Sequence, residues 1–241
     1  MKKIPRSSEL LWLLGILLVA FGVAICSKAN LGVSMIAAPA FVLSEALLPL
    51  HRFFSVGVTE YLVQGVLLLL LALLVRRFHR SYILAFLVAV LYGYALNLFL
   101  WLLGDAPFEA IWLRWVMLLL GDAVVAFGVA AFFRTYLPLQ VYELFVAETA
   151  DRFDLSIPAV KWGFDISLLA ISVILALTLF GDVDTLTFRM LATSSFHSIG
   201  LGTLATTAIN SPMIALWGRV IDRFFDATPA SPKVAELLKR R

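Results

Sequence analysis

Long apolar runs separated by short polar breaks dominate this chain. Runs able to cover a hydrocarbon core of ~30 Å, which takes ~20 helical residues, extend from Leu10 to Ser27, Phe54 to Val75, Ser81 to Leu103, Ile111 to Phe133, Ile157 to Phe180 and Met190 to Trp217. They predict six membrane-spanning helices. Two shorter apolar stretches, Val33 to Leu50 and Leu139 to Ala150, are interrupted: the first by Pro39 and Glu45, the second by Glu143 and Glu148.

Loop charges decide whether those two stretches cross. With six spans, Arg76, Arg77, Arg80, Arg134, Arg152 and Lys161 fall on the side of the two tails, leaving Lys28, Arg52, Arg114 and Arg189 opposite. With eight spans the balance reverses, so the positive-inside rule favours six, with both termini cytoplasmic. The carboxylates between Glu143 and Asp151 argue the same way, because mid-bilayer Asp costs ~2.5–3.5 kcal/mol to insert. The short stretches therefore read as re-entrant or broken helices, which are tolerated at membrane depth only where protein or water surrounds them.

Composition agrees: 62% of the 241 residues are apolar and 15% charged, against about 45–50% and about 25% in a soluble domain. A soluble surface of this size needs charges that the chain lacks. The bilayer is the solvent and lipid the first partner. The net charge of +3 is concentrated in tails and short loops, which orients a membrane protein and does not suggest a nucleic-acid partner. The basic start (Lys2, Lys3, Arg6) and the run from Leu10 to Ile25 look like a signal peptide, but further spans follow at once and the segment reads as retained.

The chain also repeats itself. Gly15-Ile-Leu-Leu-Val-Ala-Phe-Gly-Val-Ala24 overlays Gly121-Asp-Ala-Val-Val-Ala-Phe-Gly-Val-Ala130 at an offset of 106. That register puts Lys28 on Arg134 and Glu45 on Asp151. An offset of 101 then puts Ser55 on Ser156, Glu60 on Lys161 and Gln64 on Asp165. Each copy is span, short piece, span, span, and three crossings invert the second copy. The expected fold is an all-α polytopic membrane protein with an inverted 3+3 repeat: residues 1–108, residues 109–221, and a cytoplasmic tail at 222–241 ending in a short amphipathic helix. Discontinuous helices at matching positions of inverted halves point to a solute site near the midplane.

Polar residues within the spans are the candidates for that site. Lys28 and Arg134 end the first spans of the two copies. They either cap those helices or, with Asn30, Ser34 and Gln140 near the starts of the short helices, form an anion seat. Gln64 and Asn97 add amide groups for substrate binding. Glu60, Asp122, Asp165 and His197 are the candidates for proton or ion coupling. Lys161 and Asp165, four apart, can also bridge one another. Asp122 is either a carrier or an anchor for Arg134, His197 or a backbone donor. The small-residue run from Gly200 to Asn210, followed by Pro212, suits a gate, tight packing or a homodimer contact.

No enzyme signature, metal set or cofactor motif is present: the chain lacks His-Glu-x-x-His, a phosphate loop and a nucleophile with a base. The lone Cys26 excludes an internal disulfide. The segment Phe21-Gly-Val-Ala24 followed by Lys28-Ala-Asn-Leu-Gly-Val-Ser34, with Gly200-Leu-Gly-Thr203 ahead of Pro212, resembles the YczE/YitT-type bacterial integral membrane proteins. The resemblance implies a bacterial plasma-membrane protein and names no substrate. The expectation is a secondary transporter or permease for a small polar or anionic metabolite, proton-coupled through its buried carboxylates. The alternative is a non-transporting scaffold for an enzyme system.

Overall fold

The computed structural model describes residues 4–76, 78, 80–104, 106–181 and 188–229. These form nine helices and one four-residue parallel ladder that pairs β1 (Ile4–Ser7) with β2 (Phe225–Thr228). Helix α1 (Ser8–Ala29) starts on Ser7, whose hydroxyl accepts from the Leu10 N–H, and stops at Asn30 in the left-handed conformation that Asn tolerates. The remaining helices are α2 (Ala38–Leu47), α3 (Val56–Val75), α4 (Arg80–Leu103), α5 (Ile111–Phe132), α6 (Val141–Phe153), α7 (Ile157–Phe180), α8 (Phe188–Thr193) and α9 (Leu201–Phe224). Ser55 and Ser156, equivalent in the repeat, occupy the N-cap positions of α3 and α7.

Helices α1, α3, α4, α5 and α7 are long and apolar enough to cross a bilayer, so the chain is a multi-pass membrane protein. The sixth expected span begins later than Met190. The chain leaves α8 and turns through His197 and Ser198, both at positive φ, before α9 starts at Leu201. The turn is held by the segment after α1 and by itself: Ser195 Oγ donates to Asn30 Oδ1 at 2.6 Å, the Val33 N–H donates to the Ser198 carbonyl at 2.9 Å, and Phe196 and Ile199 exchange reciprocal backbone bonds. Helix α9 is less apolar than the five candidate spans. It runs unbroken through Pro212 and into what was expected to be the tail. The remainder of the expected tail helix, 230–241, lies outside the described residues.

Helices α1 and α5 pack antiparallel along the repeated motif. A β-carbon on Gly22 would lie 2.6 Å from the Gly121 carbonyl oxygen, and one on Gly128 would lie 2.8 Å from that of Gly15. The 106-residue register carries Gly15 to Gly121 and Gly22 to Gly128, so the two contacts exchange. Val19 and Val125 exchange likewise, each touching a glycine of the other helix. The short helices cross over: α2 packs on α7 and α6 on α3. The third long helices match too, α4 lying on α1 and α9 on α5.

Helix α9 starts beside the far end of α1, where the Gly202 N–H donates to the Leu31 carbonyl at 2.8 Å. It finishes beside the near end, where Ile221 packs with Leu11. One feature breaks the correspondence. Helices α3 and α4 close tightly, since a β-carbon on Gly57 would fall 2.0 Å from the Gly93 carbonyl oxygen. Helices α7 and α9 form no comparable seam. Pro158 stands where the register puts Gly57, and its ring excludes so close an approach.

Candidate functional site

The open seam leads to a cavity of about 240 Å³ at the middle of the bundle. Both short helices present their N-terminal ends to it, α2 through Ser34 to Ala37 and α6 through Gln140, Tyr142 and Glu143. Each short helix reaches this depth because protein surrounds its start: Ala37, Ala38 and Phe41 pack against Val19, Val23 and Val125, while Val141, Tyr142 and Leu144 pack against Leu67, Leu68 and Leu71. The remaining wall comes from α1, Glu60 of α3, Tyr92 of α4, α5, the first turns of α7 and the middle of α9.

Glu60 is the most enclosed charged group on this wall, with none of its surface exposed. Its Oε2 accepts from the Tyr142 hydroxyl at 2.7 Å and from Gln64 Nε2 at 3.4 Å. Its Oε1 has no hydrogen-bond partner among the described residues, and neither has Glu143 Oε2. Also on the wall, Lys161 Nζ lies 3.1 Å from Asp165 Oδ2. Asn210 also lines the wall and reaches behind it, donating to Asp122 Oδ1 at 2.8 Å. Asp122 itself is 2% exposed, and its Oδ2 has no partner among the described residues. The desolvation of an unmatched carboxylate oxygen is costly, so these three groups are loaded for an incoming proton, donor or cation.

Of the expected substrate residues, Ser34 and Gln140 lie on the cavity wall, and Gln64 stands directly behind Glu60. Of the coupling residues, Glu60 and Asp165 lie on the wall, and Asp122 one side chain behind it. The others are elsewhere. Lys28 donates to the Leu103 carbonyl that ends α4 and stacks over the Phe108 ring at 5.6 Å. Arg134 grips Asp222 with two bonds of 2.7 Å and donates to the Ala130 carbonyl. The anion seat expected from these two cations is therefore not assembled. They instead do the same job in each half, tying the end of the first helix to the end of the third.

Asn97 receives the Gly57 N–H at 2.8 Å and donates to Ser55 Oγ at 2.9 Å, which staples α3 to α4. Asn30 and His197 border a separate, smaller cavity of about 210 Å³. There Asn30 accepts from Ser195 Oγ, and His197 meets Glu45 at 2.8 Å while stacking on Phe180. His197 thus sits in the turn before α9, while Asp122 takes its hydrogen bond from Asn210 within that helix.

Tyr92 on α4, with Thr206 and Thr207 on α9, also lines the central cavity. Sequence reasoning missed Tyr92 because a tyrosine among apolar residues reads as packing. Among the described residues no three His, Cys, Asp or Glu side chains gather as a metal site.

No curated protein and no solved structure matches the chain. The segments that resemble the YczE/YitT type fall within the stretch that one family model matches, but that model's description does not link it to the type. The model covers residues 6–219, and by that match the chain belongs to a family of unknown function, DUF6198.

Proposed function

We propose that this protein is a six-span secondary transporter whose two inverted halves move a small polar solute through the central cavity, with buried carboxylates coupling that movement to protons. The observation that carries the reading is that two short helices about a hundred residues apart in sequence open their N-terminal ends into one cavity. Broken helices meeting at the interface of inverted repeats are a recurring plan for solute sites. The exchange of Gly15–Gly128 with Gly22–Gly121 supports the inverted pair. The pairing of β1 with β2 supports an even number of crossings, because it brings the segment before α1 to the segment after α9. Helix α9 is then the sixth span; the charge balance of the loops favours a cytoplasmic shared face, and the resemblance to the YczE/YitT type supports a bacterial plasma membrane.

In this reading the open α7–α9 seam exposes the site to the face that carries the termini, and the tight α3–α4 seam closes the other side. Proteoliposomes holding the full chain and an entrapped pH dye provide the test. Small polar solutes of each charge class should include one that moves protons in the wild type and fails to do so in Glu60→Gln and Asp165→Asn. A wild type that no solute in the panel activates would leave the scaffold reading in its place.

A further inference from the structure

The cavity carries more acid than base. Its charged lining groups are Glu60, Glu143, Asp165 and Lys161, and the two helix N-terminal ends add roughly half a positive charge each. With the carboxylates ionised, the site is left short of about one positive charge. Lys161 offers little to an anion, because Asp165 already holds it at 3.1 Å and releasing it would strand that carboxylate. Among the described residues two carboxylate oxygens of the wall remain unmatched: Oε1 of the fully buried Glu60 and Oε2 of Glu143. The same cavity wall carries the rings of Tyr92, Tyr142 and Phe164 and the apolar side chains of Val19, Val125 and Ile214.

Carboxylate oxygens needing donors, aromatic faces and an apolar wall together suit a cation with a hydrocarbon body. We infer that the cavity binds a monovalent organic cation, a primary ammonium on a small apolar or aromatic body, with Glu60 and Glu143 receiving the ammonium. This rests on the transport reading for its physiological meaning and deepens it by naming the solute class. Binding itself needs no transport.

The groups that face the ammonium site set its electrostatics. Tyr142 and Gln64 donate to Glu60. Tyr92 faces it from α4, while Lys161 and Asp165 face it from α7. The site is vacated by exchange: the ammonium leaves and a proton takes its place on a carboxylate, so charge balances in both states.

Equilibrium binding to the purified full chain in detergent, read by calorimetry, tests the inference with three probes of one shape: benzylammonium, benzyl alcohol and benzoate. Benzylammonium should bind at least about tenfold more tightly than the other two, the scale of one charge-assisted hydrogen bond. Glu60→Gln and Glu143→Gln should each remove most of that preference, and Asp222→Asn, outside the cavity, should leave it intact. Benzoate binding as well as benzylammonium, equal affinity for all three, or no binding by the wild type would overturn the inference, and none of these readings depends on a variant folding. Cation-selective binding with no flux in vesicles would instead keep the site and reject transport.

Discussion

Gly22 of α1 and Gly121 of α5 meet backbone to backbone: a β-carbon on either would lie within 3 Å of the other's carbonyl oxygen. Lipid offers no hydrophobic force between helices, so close packing of this kind is what holds two spans together. The same contact recurs between Gly15 and Gly128, and its geometry predicts an order of sensitivity. Gly22→Ala faces a backbone oxygen at 2.6 Å and Val125 at 2.7 Å, whereas Gly15→Ala meets the Phe132 ring at 3.1 Å and the Gly128 carbonyl oxygen at 3.2 Å. Gly22→Ala should cost about 1–3 kcal/mol, as overpacking does, and Gly15→Ala distinctly less. Thermal unfolding of the two variants in detergent measures this, and equal melting temperatures would contradict it.

The α3–α4 seam gives a second prediction. Asn97→Ala removes an acceptor from the Gly57 N–H and a donor to Ser55, and should destabilise by about 1–3 kcal/mol because it leaves buried polar groups unmatched. Gly57→Ala at the same seam should do more than destabilise. By forcing α3 from α4 it should raise the labelling of a cysteine at Gln64 from the face opposite the termini. Unchanged labelling in a folded variant would show that this seam is no gate.

The clamp between Arg134 and Asp222 makes a third. Asp222 is mostly exposed and Arg134 partly so, hence breaking the pair with Asp222→Asn should cost only ~0.2–1 kcal/mol. The reversed pair, Arg134→Asp with Asp222→Arg, should recover most of that. Neither variant should change solute affinity. A large loss of affinity in a stable Asp222→Asn protein would return Arg134 to the binding site.

Asp122 is linked to the cavity by Asn210, which lines the wall and donates to its carboxylate. Asp122→Asn keeps the size and an acceptor but removes the charge. In the proposed mechanism it should shift the pH dependence of flux and leave the melting temperature within a few degrees. If it lowers stability while leaving the pH profile unmoved, Asp122 is an anchor and no part of the coupling.

The long helices were legible in the sequence because an unbroken apolar run of bilayer length has one solution. The runs Ser81 to Leu103, Ile111 to Phe133 and Ile157 to Phe180 match α4, α5 and α7 to within a residue at each end. The repeated Val-Ala-Phe-Gly-Val-Ala was visible in the sequence, but nothing in it said that the two copies would pack on one another as α1 and α5. Hydropathy could not show the break ahead of α9, where His197 and Ser198 turn at positive φ inside what composition marks as a span. Nor could it assign Lys28 and Arg134, since their partners Leu103 and Asp222 lie 75 and 88 residues away. A cation at a helix end looks the same whether it binds a solute or a neighbouring helix. Tyr142 and Glu143 reach the cavity because α6 crosses to α3 of the other half, a contact without local signature.

Accessibility at Asn210 tests most directly whether one central cavity is exposed to each face in turn. Asn210 lines the cavity on α9, and the native Cys26, buried on α1 against Leu118 and Gly121 of α5, serves as the unreactive background. In oriented vesicles a membrane-impermeant thiol reagent should modify Asn210→Cys from the face carrying the termini and, more slowly, from the opposite face. Benzylammonium should protect it from both. Modification confined to one face under every condition would contradict the account.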